Sequence, residues 1–568
     1  MERSHVRPTP LFGGSLKPKI LILLASFLWI VLGFPSSGFC LTRILRPILR
    51  DVVEPLIPDE LDVAGLKILQ FRAKMSDGAT LPGHVIFPSN TKPSEKLPFV
   101  LFVHSWLLNQ LEYVAQEVQF AKQGFVTASY DCRGWYGGDG KSDFAGPKEM
   151  NDLSRIIDHV LQIAPADPSR IGMAGVSYGG GHSLLAPAFE PRVKAVFSMS
   201  GWADFNEALM PNHSGKSVWD LLLALSGNLV ADPTANDWRW INAYINRDPE
   251  GMAKADADLK ARSAITYIDK INQSGVPIYI QNNINDDLFT PSTVLGFYEQ
   301  LKVPKKIAFL NGIHATGEMP GMLFMSSWIW DEAHKWFTQW LKGEQTGIMQ
   351  EPAVHIYTKW NDSLAAFEDF PVNDASLKLY LDKESLVQDT LPDVPGTLTI
   401  KNRVLTDTVS GTPIISPLLY SYAGVPVRES SKVGGNSVSF LSQPFQEPLT
   451  LMGIPKAEVF LVPDSPAYQF NLFLYDVGPS GRGEMIAHIP YTQYLGEGQQ
   501  GIVAPFKLDF NLVSYRLEPN HRLKLVISTW DSSAQLFMQE GFRLDVLTGG
   551  TNPSSLTIPV QTRDAGVE

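Results

Sequence analysis

"SRIGMAGVSYGGGHS", residues 169–183, decides the fold. Its first half is an apolar run of strand length. Its second half is a cluster of glycines around Ser177, with Gly175 two residues before it and Gly179 two after. The Gly-x-Ser-x-Gly pattern alone is weak, because glycine-rich chains contain it by chance. Its context gives it meaning. A strand runs directly into the serine and a glycine-rich helix start follows, the strand-turn-helix order that a nucleophile elbow requires. Bulky neighbours would clash in so tight a turn, hence glycine at 175 and 179. The turn lifts the hydroxyl above the sheet and leaves the backbone N–H of Tyr178 to bind an oxyanion.

The flanking sequence supplies the sheet. "LPFVLFVHSW" (97–106) and "FVTASYDCRG" (125–134) are nearly continuous apolar runs, as strands covered on both faces should be. "VKAVFSMSG" (193–201), "VPIYIQNN" (276–283) and "KKIAFLNGIHA" (305–315) read as further strands. Between them Met150, Leu153, Ile156, Ile157, Val160 and Leu161 recur at helical spacing. Alternating strands and helices imply a parallel sheet with helices on both faces, which binds ligands beyond the carboxyl ends of its strands. Ahead of them, "LKILQFRAKM" and "LPGHVIFP" form a hairpin on the turn Asp77-Gly78.

Residues 203–270 interrupt the alternation with helical, Trp- and Leu-rich segments carrying Trp219, Trp238 and Trp240; with Trp202 just ahead, these are expected to form a cap that shapes the pocket. After about 350 the texture becomes short period-two runs separated by Pro, Gly and Asp, as in "YQFNLFLYDV", where Phe470, Leu472 and Leu474 would face a core. That is the pattern of a β-sandwich. The expected organisation is a catalytic α/β domain over 63–348 and a sandwich over 349–568, preceded by a linker at 41–62.

A serine hydroxyl needs a base, oriented in turn by an acid, and in this fold both follow the serine in sequence. Of eleven histidines, His84, His104 and His159 come too early. His182 projects from the nucleophile's own helix, and His334 sits between Trp330 and Trp336 as packing. His314, just past the last strand in "NGIHATG", has the required position. The acid is one of Asp286 and Asp287 in "NNINDDLFTPS", with Asp286 favoured. The other is expected to serve the helix that starts at Thr290 and Pro291. The second oxyanion donor belongs in the loop after "VLFV", where the N–H of Trp106 is the candidate. The alternative role for Trp106 is to line an apolar pocket.

The chain has 568 residues, net charge −12, 44% hydrophobic and 19% charged residues, so it folds as a globular protein and lacks the basic patch of a nucleic-acid surface. Two cysteines, Cys40 and Cys132, exclude a disulfide framework and a cysteine zinc site. Arg3, Arg7, Lys17 and Lys19 precede the apolar run 20–34, which fits a signal peptide or N-terminal anchor over 1–40 and predicts export. Membrane contact is expected only through that segment, and oligomeric state is not encoded in any motif.

Several motifs together resemble the family of X-prolyl dipeptidyl-peptidases and cocaine-esterase-type α-amino-acid ester hydrolases. They are "SDGATLPGHVIFP", "YDCRGWYGGDG" with "GPKEMNDLSRIIDHV", "GVSYGG", "NDDLFTPSTV" and, further on, "FLYDVGPSGRGEMI" and "YRLEPNHRLKLVIST". The resemblance implies an α/β-hydrolase domain with a helical cap and a C-terminal jelly-roll. It also implies a triad of Ser177, Asp286 and His314, no metal or organic cofactor, and a small-molecule ester or short Xaa-Pro peptide as substrate. The sequence departs from the family at "HSW", where esterase members carry an oxyanion-hole tyrosine, at Asn283 and Asn520 in place of glycine, and at Thr290 in place of proline. The rival reading is an inert surface or glycan-binding protein that uses only the jelly-roll. Acyl transfer instead of hydrolysis is a third.

Overall fold

The computed structural model describes residues 60–230, 240, 242–244, 246–402, 410–429, 435–494, 498–531 and 541–562. The N-terminal apolar run with its expected cleavage region, Cys40 and Trp238 lie outside the described residues, as does the expected linker up to residue 59.

The first part is an eleven-stranded sheet in the order β1-β2-β3-β5-β4-β6-β7-β8-β9-β10-β11. Its strands are β1 (Glu60–Val63), β2 (Leu66–Lys74), β3 (Thr80–Pro88), β4 (Leu97–Val103), β5 (Val126–Tyr130), β6 (Ala166–Val176), β7 (Val193–Met199), β8 (Ile278–Asn283), β9 (Lys305–Leu310), β10 (Val354–Thr358) and β11 (Ser363–Phe367). From β5 to β10 all neighbours are parallel, and the edges are antiparallel. The apolar runs are buried on both sides, as their composition requires. In β4, Phe99, Leu101 and Val103 enter one core while Val100 and Phe102 enter the other. Two expected boundaries move. Glu60–Val63, at the end of the expected linker, is already a strand. β10 and β11, assigned from sequence to the sandwich, instead join the first sheet, β10 pairing onto β9 and β11 onto β10, so that sheet runs past residue 348. Short half-buried strands look alike whichever sheet they join, so texture could not divide them.

Helices α1 (Val114–Lys122), α2 (Pro147–Ile163) and α3 (Tyr178–Phe189) flank the sheet. The described residues of the 203–270 region include the helices Phe205–Leu209, Ser217–Val230 and Pro249–Lys260. Three of the motifs quoted above converge on one side chain. Arg133 is 4% exposed, grips Asp152 of α2 with two bonds of 2.7 and 2.8 Å, and reaches Asp77 in the first hairpin turn at 2.6 Å. A bidentate, buried pair of this kind fixes a turn, a loop and a helix relative to one another.

The C-terminal part is a thirteen-stranded β structure. Phe470, Leu472 and Leu474 lie in its core as their alternation predicts. The intervening Phe473 and Tyr475 are also buried, in a smaller cluster with Val526. Asn520 takes the left-handed conformation (φ 65°) that its position calls for. A helix, Ile415–Ala423, was not visible in the period-two texture. It follows Ile414, whose N–H donates to Asp287 at 2.9 Å, so the β domain reaches the carboxyl-end loops of the first sheet. Ser214 and Thr492 (2.7 Å) and Ser514 and the carbonyl of Tyr357 (2.8 Å) add contacts between the two parts.

Candidate active site

Ser177 sits between β6 and α3 with φ 56° and ψ −113°, a conformation that costs a non-glycine residue about 1–3 kcal/mol and persists only where the surroundings impose it. The glycines explain the imposition. A Cβ on Gly179 would lie 1.8 Å from the carbonyl oxygen of Val103, and one on Gly175 would lie 2.5 Å from the backbone of Gly179. The turn therefore closes against β4 with no room for a side chain at either position.

The three sequence-predicted groups meet. His314 Nε2 is 2.8 Å from Ser177 Oγ, and His314 Nδ1 is 2.8 Å from Asp286 Oδ2. The other oxygen, Oδ1, accepts the N–H groups of Leu288 and Phe289, both at 2.9 Å, which fixes the carboxylate. Burial alone would depress the imidazole's pKa. The Asp286 carboxylate beside it, with the Glu318 and Asp287 carboxylates adding to its effect, holds His314 above the ordinary histidine value.

The structure separates the two aspartates. Asp286 bonds the imidazole, whereas Asp287 accepts from Ile414 N–H, and burial pushes its carboxyl up. Neither aspartate caps the next helix. Thr290 is at the N-cap and Pro291 at N1 as expected, but the Thr290 side chain makes no cap bond.

Among the described residues, the backbone N–H groups of Tyr178 and Trp106 donate to no protein acceptor. Tyr178's hydroxyl is locked away from the site by Glu149 (2.5 Å) and Ser142 (3.2 Å). The Trp106 indole bonds Ser226 (3.2 Å) and packs edge-on against Trp135 and face-on against Phe144. It lines a cavity of about 50 Å³ that opens on Ser177, so the apolar-wall reading of Trp106 holds for its side chain. Trp202 and Trp240 line the same cavity, while the Trp219 ring stands edge-on to His314 at 6.1 Å. His84, His104, His159, His182 and His334 stay out of the triad. His182 Nδ1, for example, donates to the carbonyl of Tyr178, and His334 stacks on Phe120.

Sequence reasoning missed three titratable groups around the site. Glu318 lies close enough to His314 to act on its charge, is bonded by Ser200 and Asn283, and is raised in pKa by burial. Lys216 donates to the carbonyl of Leu288 at 2.6 Å, and burial lowers it to about 8. Glu112 holds the Trp106 loop. No motif marks them, because each is defined by burial that sequence periodicity does not report. Among the described residues no cluster suited to a metal ion occurs, and no helix is long and apolar enough to cross a membrane.

Comparison with known proteins agrees with this architecture. A family model described as X-Pro dipeptidyl-peptidase (S15 family) matches residues 77–316, and one described as the X-Pro dipeptidyl-peptidase C-terminal non-catalytic domain matches residues 346–559. The α-amino acid ester hydrolase structure superposes with a TM-score of 0.66 at 14% identity, covering 89% of this chain and 100% of that one. An aminopeptidase from a marine sediment Thaumarchaeota archaeon gives 0.65 at 14%, covering 89% and 99%. Among curated proteins, 2,6-dihydropseudooxynicotine hydrolase of Paenarthrobacter nicotinovorans is 24% identical over 259 residues, 45% of this chain and 62% of that protein. A putative serine esterase of Mycobacterium bovis is 23% identical over 223 residues, 34% of this chain and 35% of its own length. The match thus spans less than two thirds of either relative. The chain belongs to the X-Pro dipeptidyl-peptidase (S15) family of α/β-hydrolases.

Proposed function

We propose that the protein cleaves an ester or amide bond next to a compact apolar acyl group, through an acyl-enzyme on Ser177. The observation that carries this is the unbroken chain Asp286–His314–Ser177, at 2.8 Å for each link, at the mouth of an apolar cavity. His314 takes the hydroxyl proton as Ser177 Oγ attacks the carbonyl carbon. Asp286 holds the Nδ1–H tautomer and stabilises the imidazolium. The Tyr178 and Trp106 N–H groups receive the oxyanion, His314 returns the proton to the leaving group, and water then releases the acyl group by the same route. Phe144, Trp202, Phe205, Leu223 and Phe289 form an apolar wall, and about 50 Å³ admits a group of only a few heavy atoms.

A second reading has one specific observation in its favour. Asp220 lines the same cavity, and its carboxylate could hold the free amine of an aminoacyl or Xaa-Pro substrate. Comparing kcat/KM for Xaa-Pro anilides and for simple acyl esters, in the wild type and in Asp220→Asn, tests both readings. Preference for neutral acyl esters that survives in Asp220→Asn supports the first. A preference for free-amine substrates that collapses in the variant supports the second. We extend the proposal to export, which the basic-then-apolar N-terminal sequence supports; N-terminal sequencing of protein recovered outside the producing cell tests it.

A further inference from the structure

We propose that Glu112 is a positioning residue that ties the oxyanion-donor loop to the nucleophile turn through the hydroxyl of Ser105. The inference rests on the site reading above, because it concerns the residues next to the two groups assigned there. Ser105 immediately precedes Trp106, and Val176 immediately precedes Ser177. Glu112 Oε2 accepts the Ser105 N–H at 2.6 Å, and Oε1 lies 2.6 Å from Ser105 Oγ. The same Oγ lies 3.0 Å from the carbonyl oxygen of Val176. The neighbouring Tyr113 makes a parallel brace. Its hydroxyl donates to the carbonyl of Val103 (3.1 Å) and accepts the N–H of Val176 (2.8 Å). The segment before α1 thus grips the ends of β4 and β6, the two strands from which the donor and the nucleophile rise.

A hydroxyl has one proton, and that count decides which form of Glu112 completes the chain. With a neutral carboxyl group, Oε1–H donates to Ser105 Oγ and Ser105 Oγ–H donates to Val176 O. Every contact is then a hydrogen bond. With a carboxylate, Ser105 must turn its proton to Glu112, and the bond to Val176 is lost. Glu112 is only partly exposed, its carboxyl end is desolvated, and the acidic groups Tyr113, Tyr136 and Glu318 face it. Burial pushes it up to about 8, so the neutral form prevails at pH 7. Lys216 titrates in the same range.

Glu112→Gln keeps an acceptor for Ser105 N–H and a donor for Ser105 Oγ at every pH, whereas Glu112→Ala removes both. The test measures kcat and KM for p-nitrophenyl acetate from pH 6 to 10, with near-UV circular dichroism to monitor folding and a fluorophosphonate probe to report on Ser177. Glu112→Ala should lose about tenfold or more in kcat with KM within about twofold, the mark of a misplaced transition-state donor. Glu112→Gln should keep kcat within about threefold at pH 7 and lack the decline expected of the wild type above about pH 8. A folded Glu112→Ala with wild-type kcat overturns the inference. So does a Gln variant as impaired as Ala, or one whose alkaline decline is unchanged, which would assign that decline to Lys216. Failure of the wild type itself to react with the probe would instead overturn the underlying site reading.

Discussion

Replacing Asp286 by asparagine tests the orientation of the base by single-atom chemistry. The side chain accepts three bonds: from Leu288 N–H, from Phe289 N–H and from His314 Nδ1–H. An asparagine has one oxygen and one NH₂ to replace two oxygens. If its oxygen stays with the two backbone donors, its NH₂ meets His314 Nδ1, which must then accept. The ring proton moves to Nε2, the atom that should take the proton from Ser177. If the amide flips to save the tautomer, its NH₂ faces two N–H groups in a buried site. Leaving buried donors unmet costs about 1–3 kcal/mol each, so the flip costs about 2–6 kcal/mol. The wrong tautomer is therefore the cheaper arrangement. The expected fall in kcat is about 10⁴-fold, or about 5 kcal/mol of barrier, with KM little changed. Asp287→Asn keeps its acceptor for Ile414 N–H and touches neither His314 nor Ser177, so it should lose less than about tenfold. Steady-state kinetics on an acyl ester measures both variants, with circular dichroism to monitor folding. An Asp286→Asn enzyme within tenfold of wild type, or an Asp287→Asn enzyme more impaired than it, refutes the reasoning.

Gly179→Ala should fail to build the nucleophile turn, because its Cβ would stand 1.8 Å from a backbone oxygen that cannot yield cheaply. Loss of probe labelling with a lowered melting temperature is expected, and normal labelling would contradict the close approach. The pH profile of kcat/KM should show an acid limb above the ordinary histidine value, since His314 is raised by Asp286 and acts only when neutral. Activity is present above that pKa and lost below it; a limb under pH 6 would contradict the assignment. Ala224→Leu should shrink the cavity beside Ser177. Esters of bulkier acyl groups should lose about tenfold more kcat/KM than acetyl esters, and an unchanged acyl preference would place the acyl group elsewhere.

What could be read in the sequence was what local pattern encodes. β4 is apolar on both faces because helices cover both sides, and β5 is buried throughout although its Thr127 and Ser129 are polar. The glycines at 175 and 179 record a steric limit at single positions, and His314 is placed by its position after the last parallel strand. Asp286 and Asp287 are adjacent and chemically alike, so their different partners appear only when the loop is folded. Glu112, Lys216 and Glu318 look like surface residues in the sequence, and burial around the site gives them their properties. The division between the two β regions escaped for a related reason. Val354–Thr358 has the composition of a sandwich strand, and only its pairing with β9 assigns it to the first sheet.

The most direct measurement is mass-spectrometric localisation of a fluorophosphonate adduct on the folded wild-type protein. The account predicts a single adduct, on Ser177, absent from Ser177→Ala and formed far more slowly in His314→Ala. A folded wild-type protein that stays unmodified, or one that carries the adduct on another serine, would contradict it.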